Sequence, residues 1–212
     1  MLPIAARGVG HMYSVPIRRI STRPSRSARL GTAIAGVLTA ALLVAGSPSA
    51  CAGGLAEEVR FGVYDQNIEP AGHSYENGLA INGEVLFSRI FAPSGSQLAD
   101  AVLGFRPVIG GTYSMQRDTD KLYAGLSWTI PLVAGLFVES NLGAALHDGA
   151  LDDPNGAHYG CHVNFWESVS AGYDIDAHWR LLLTADHFSN ADLCAANRGL
   201  TQGGVRLGYR LN

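Results

Sequence analysis

His187 and Ser189 stand two residues apart in a segment that runs from Trp179 to Asn190. A serine hydroxyl is a weak nucleophile until a neighbouring imidazole takes its proton. A third group must then hold that imidazole in the right tautomer. Residues i and i+2 of an extended strand point to the same side, so this spacing lets the two act together. The odd positions are Trp179, Leu181, Leu183, Ala185, His187 and Ser189; the even ones are Arg180, Leu182, Thr184, Asp186, Phe188 and Asn190. The pair thus ends a mostly apolar face. Taken alone, His-x-Ser also describes two unremarkable polar residues at a strand rim.

The elements that must position the pair follow from period. Residues 53–212 show the two-residue alternation of strands with unlike faces. Eight segments are predicted, at about 57–66, 76–91, 99–113, 121–131, 135–147, 159–174, 178–190 and 200–211. In the fourth, Leu122, Ala124, Leu126, Trp128 and Ile130 oppose Tyr123, Gly125, Ser127 and Thr129. Connections near 92–98, 132–134 and 175–177 are short. Those near 67–75, 114–120, 148–158 and 191–199 are longer and rich in Gly, Asn and Asp. An even strand count, with short turns at one end and long loops at the other, predicts an all-β, eight-stranded antiparallel transmembrane barrel. Its apolar face would meet lipid and its polar face would fill a narrow lumen. A soluble β-sandwich or lipocalin-like barrel shares the alternation. Small and charged residues on the polar face (Gly125, Gly204, Arg206, Gly208, Arg210) and aromatic residues at one strand end (Tyr173, Trp179, Tyr209) favour the membrane.

The 212 residues are 47% hydrophobic, which excludes wholesale disorder. The net charge of −3 hides an asymmetry: the first 52 residues hold six Arg and no acid, and all 18 acids come later. The remainder is strongly acidic, so a nucleic-acid partner is not expected. The basic start, the apolar run Leu30–Gly46 and the small residues Ala50-Cys51-Ala52 predict an export signal over residues 1–52, with residues 53–212 as the barrel. Met12 is an alternative start. A membrane anchor and a lipoprotein lipidated at Cys51 are the other readings of this segment. Export leaves Cys161 and Cys194 in an oxidising compartment, where a disulfide is expected.

The longer string narrows the chemistry. His187-Phe188-Ser189-Asn190-Ala191, followed by Leu193-Cys194, Asn197, Gly199-Leu200 and Gly208-Tyr209-Arg210, resembles the lipid A 3-O-deacylase (PagL) family, often labelled acyloxyacyl hydrolase. The motif resemblance covers about residues 165–210. It implies a bacterial outer-membrane barrel whose active site faces the outer leaflet. It also implies hydrolysis of the acyl ester at position 3 of lipid A, the lipid of lipopolysaccharide, without a cofactor. Carried over by residue, Ser189 is the nucleophile and His187 the general base. Asn190, Ala191 and Asp192 supply the oxyanion site. The family's acidic residue aligns with Thr201, so the position is kept and the charge is missing. A non-catalytic outer-membrane barrel of the same fold is the rival reading, and a soluble periplasmic lipid carrier is a third.

Glu167 is the expected replacement acid. A turn centred near Asp176–Ala177 pairs the sixth and seventh strands, placing Glu167 opposite Ala185 or His187 and on the His187 face. Cys161 and Cys194 would then meet at the long-loop end. Asp186 and Glu139 are expected in internal ion pairs with Arg180, Arg206 and Arg210. His147, His158 and His162 are expected as solvated loop residues, and no metal site is expected.

Overall fold

The computed structural model describes residues 55–68, 76–116, 118–153 and 156–211. The expected export signal lies outside them. Eight antiparallel strands close into one barrel in sequence order: β1 (Ala56–Asp65), β2 (Leu79–Phe87), β3 (Arg106–Ser114), β4 (Lys121–Pro131), β5 (Leu136–His147), β6 (Val163–Asp174), β7 (Trp179–Ser189) and β8 (Leu200–Arg210). β1 pairs with both β2 and β8, so no edge is left. Closure pairs every strand's backbone groups, which a lipid environment requires.

Burial follows the expected parity. In β7, Leu181 and Leu183 are exposed while Arg180, Leu182, Thr184 and Asp186 are buried. In β5, Leu136, Val138 and Leu142 face outward, and Phe137, Glu139 and Asn141 face the lumen. This is a soluble protein turned inside out, with an apolar wall for lipid and a polar interior.

The lumen is filled rather than open. Arg60 sits fully buried among Glu58, Glu84 and Glu139, with a two-pronged contact to Glu139 at 2.5 and 2.7 Å. Arg206 joins Glu84 at 2.8 Å, and Lys121 joins Asp186 at 2.7 Å. Buried charges persist when they are paired and hydrogen-bonded in this way. The ion pairs are internal as expected. Glu139 has Arg206 at 4.0 Å, one of the expected partners, with Arg60 nearer at 2.5 Å, whereas Asp186 pairs with Lys121 and not with an arginine. Nearer the long-loop end, Tyr123 stacks on Trp166 at 4.1 Å, and Tyr159 from the β5–β6 loop packs on Phe188 at 4.9 Å. The Tyr159 hydroxyl donates to Glu76 at 2.7 Å and ties that loop to the one before β2.

The largest departure lies between β2 and β3. Alternation predicts a short turn near 92–98 and a strand from 99. Instead β2 ends at Phe87, and a seven-residue helix, α1 (Gln97–Leu103), precedes β3. Ser96 caps it by accepting the Ala99 N–H. Trp128 on the outer face of β4 donates its indole N–H to the Val102 carbonyl at 3.1 Å, holding α1 against the wall. The loop after β5 also runs further than expected, so β6 begins at Val163.

Candidate active site

His187 and Ser189 both face outward at the long-loop end of β7, and both are half-buried. Their Cα atoms are roughly 7 Å apart from strand geometry. The barrel gives each a defined cross-strand neighbour. Glu167 on β6 lies directly opposite His187, and Thr201 on β8 lies opposite it on the other side. Glu167, His187 and Thr201 therefore form one row across three strands. In the next row toward the loops, Phe165 faces Ser189, and Ala144 faces Phe165. Of the two registers open to Glu167, the β6–β7 turn selects the one with His187.

Within the row, the imidazole leans toward β8. His187 Nδ1 is 2.9 Å from Thr201 Oγ1. The other edge of the ring lies against Gly199: a Cβ added there would clash with Cε1 and stand 2.7 Å from Nε2. Glu167 is exposed on the opposite flank, and its carboxylate accepts no hydrogen bond from a described residue.

After Ser189 the chain leaves the strand sharply. Ala191 and Asp192 both have positive φ, 53° and 61°. Non-glycine residues adopt this left-handed conformation only where the surroundings hold it. Here Asn190 is buried, and its side-chain amide donates to the carbonyls of Tyr159 and Ala196. Its backbone N–H donates to Asn197 Oδ1 at 2.9 Å. The Asn197 amide in turn donates to the Asp192 carboxylate at 2.9 Å. Asn190 thus spends its donors on holding the turn. The N–H groups of Ala191 and Asp192 make no hydrogen bond to a described residue. Asp192, an acid close to this turn, has its charge engaged by Asn197.

Cys161 and Cys194 form a disulfide, with Cα atoms 6.0 Å apart. It fastens the segment after Ser189 to the residues that precede β6. A cavity of about 150 Å³ lies beside that fastening, lined by the apolar Ala144, Val163, Phe165 and Leu193 together with Cys161, Asn164 and Asn190.

The loop histidines stand apart from this site. His147 is not a solvated residue as expected: it is buried on the lumen face of β5, packed on Tyr159 and Phe188, with Nε2 2.7 Å from the Cys161 carbonyl. His158 lies 3.4 Å from Asp152. Among the described residues, no group of three or more His, Cys, Asp or Glu is placed to hold a metal ion. The roles of Asn197 and Gly199 escape sequence reasoning, although both sit in the Asn-x-Gly string; their fixed spacing after Ser189 is the signal that carries them.

Comparison with known proteins bears on the family and the fold. The family model described as Lipid A 3-O-deacylase (PagL) matches residues 122–210, which run from β4 to β8. The crystal structure of the outer membrane enzyme PagL is similar at 17% identity, the match covering 71% of this chain and 97% of that one with a TM-score of 0.52. The Yersinia pestis outer membrane protein Ail is 10% identical, with coverage of 74% and 99% and a TM-score of 0.43. Neisserial surface protein A is 8% identical, with coverage of 73% and 94% and a TM-score of 0.43. No curated protein matches by sequence.

Proposed function

We propose that this chain, whose residues 122–210 match the lipid A 3-O-deacylase (PagL) family, is an outer-membrane ester hydrolase that removes an acyl chain, the one at position 3, from lipid A. The observation that carries the reading is the position of His187 and Ser189. Both lie on the lipid-facing wall at the long-loop end, beside a turn whose Ala191 and Asp192 N–H groups bond no described residue. An acyl ester held in the outer leaflet meets that wall without entering the barrel.

The chemistry follows from the groups present. His187 takes the Ser189 hydroxyl proton as Oγ attacks the ester carbonyl. The carbonyl oxygen gains charge and is met by the N–H groups of Ala191 and Asp192, with Asn190 holding their turn. The tetrahedral intermediate collapses, and His187 gives the proton to the departing sugar oxygen. Water, deprotonated by His187, then attacks the acyl-serine; the acyl–oxygen bond breaks, His187 returns the proton to Ser189 Oγ, and the fatty acid is released. Glu167 is the chain's own carboxylate in the row. Directly across from His187, it stabilises the imidazolium that forms in each half-reaction. The apolar cavity near Ser189 suits the hydrocarbon of the acyl chain.

Mass spectrometry of lipid A from cells expressing the chain tests this, beside Ser189→Ala and Glu167→Gln variants. The wild type is expected to remove one hydroxyacyl chain and Ser189→Ala none. Glu167→Gln is expected to fall by about 10²-fold or more, within the range for lost charge support. Unchanged lipid A with the wild type, in a barrel that keeps heat-modifiable gel mobility, would favour the non-catalytic reading. Thr201, standing where the family has its acid, is the observation on that reading's side.

A further inference from the structure

We infer that Thr201 and Gly199 are positioning residues that make His187 a base without a carboxylate at the β8 position: the Thr201 hydroxyl accepts the Nδ1 proton, and the bare α-carbon of Gly199 receives the Cε1–Nε2 edge. The inference rests on the hydrolase reading for its catalytic meaning, but its geometry stands separately.

A neutral imidazole has one nitrogen that donates and one that accepts. Which is which is set by the partner of the other nitrogen. A base needs its lone pair on Nε2, so its proton must sit on Nδ1. In this chain the only group within hydrogen-bond distance of Nδ1 among the described residues is Thr201 Oγ1, at 2.9 Å. Thr201 is held in place by the ladder, opposite His187 in the β7–β8 register, and its carbonyl accepts the Ile68 N–H at 3.1 Å. The ladder therefore fixes where the hydroxyl oxygen stands, and that oxygen has lone pairs able to accept the Nδ1 proton. The ring's remaining freedom is rotation about its side-chain bonds, and Gly199 governs that. Any side chain at 199 would occupy the space of Cε1 and Nε2 and would also meet the Phe188 carbonyl at 3.0 Å. Since Phe188 O is backbone, the imidazole would have to move, and Nε2 would turn away from its present direction.

A hydroxyl that accepts the Nδ1 proton orients the ring but carries no charge. Orientation and charge, which one carboxylate supplies in serine-protease triads, are divided here. Thr201 and Gly199 orient the ring, and Glu167 on the other flank is the nearest carboxylate by register.

Nitrogen-15 NMR of histidine-labelled protein in detergent, with deacylation kinetics, tests the inference on Thr201→Val, Thr201→Ser, Thr201→Glu and Gly199→Ala. The wild type is expected to carry its His187 proton on Nδ1, Thr201→Ser to keep it there, and Thr201→Val to mix the two tautomers. Turnover should fall about 10²-fold in Thr201→Val, with kcat rather than KM affected, within the range of general-base catalysis. Thr201→Ser should retain it. Thr201→Glu, which restores a carboxylate at that position, should keep the proton on Nδ1 and retain turnover. Gly199→Ala should lose turnover while heat-modifiable mobility is kept. A proton on Nε2 in the wild type, or unaltered tautomer and kcat in Thr201→Val, overturns the inference. Loss of activity in Ser189→Ala tests the hydrolase reading itself. If the wild type proves inactive, that reading fails and the tautomer still decides this one.

Discussion

At the residue scale, Asn197 joins two groups on either side of the turn that follows Ser189. Its oxygen holds the Asn190 N–H and its amide holds the Asp192 carboxylate. Removing it releases two consecutive left-handed residues that lack glycine's freedom, each costing of order 1–3 kcal/mol when unsupported. Asn197→Ala is therefore expected to lower kcat about 10²-fold through a misplaced oxyanion site, while Ser189 remains reactive toward a small fluorophosphonate probe. Equal loss of probe labelling and turnover would mean that the serine itself had moved. His187, Ser189 and Glu167 are legible in the sequence, because parity puts them on one face and the turn near Asp176 supplies the register. The atoms that hold the imidazole are not legible. Thr201 reads as a missing charge; it is folding that brings its hydroxyl to Nδ1 and rests the ring on Gly199.

At the element scale, the hairpin β6–β7 reads clearly because its turn is short and its strands alternate without a break. Helix α1 does not. Seven residues make only two turns, too few for a 3.6-residue period to outvote alternation. Its surest signal, the Ser96 cap, is local. The disulfide could be foreseen from compartment and loop layout, and its consequence is mechanical. The two cysteines are 33 residues apart in sequence, so the cross-link restrains the unfolded chain by about 3–4 kcal/mol on loop-closure entropy. Cys161→Ser with Cys194→Ser is expected to lower the unfolding free energy by about that amount. It should also raise hydrogen exchange across residues 190–199, with β1–β8 still paired. Exchange unchanged in that segment would show that Asn190 and Asn197 suffice to hold it.

At the scale of the whole molecule, the barrel has an interior filled by charged and polar side chains and an acidic rim. The polar face was legible as a face. Its pairing was not, since partners across a lumen are set by height and tilt rather than by sequence distance. Near the rim, Asp120 accepts the Ser114 N–H and donates its own N–H to Asp148. Burial, with Asp148 and Glu76 nearby, pushes the Asp120 carboxyl up to about 6, and burial also raises Glu76. A carboxyl raised on folding stabilises the folded form fully below its unfolded value, near 4, and that stabilisation is lost as pH rises through 6. Protection of the 114–120 amides, corrected for intrinsic exchange, should therefore be greater at pH 4.5 than at pH 7.5, and Asp120→Asn should flatten the difference. Equal protection at both values in the wild type would contradict this.

The outward placement of His187 and Ser189 has a kinetic consequence. A reactive pair on the wall of a barrel meets its partners by lateral diffusion, in two dimensions. Encounter then depends on the mole fraction of substrate in the surrounding leaflet, not on its amount per volume of water. Diluting such a substrate with inert lipid would slow turnover at constant total concentration, whereas adding buffer would leave it unchanged.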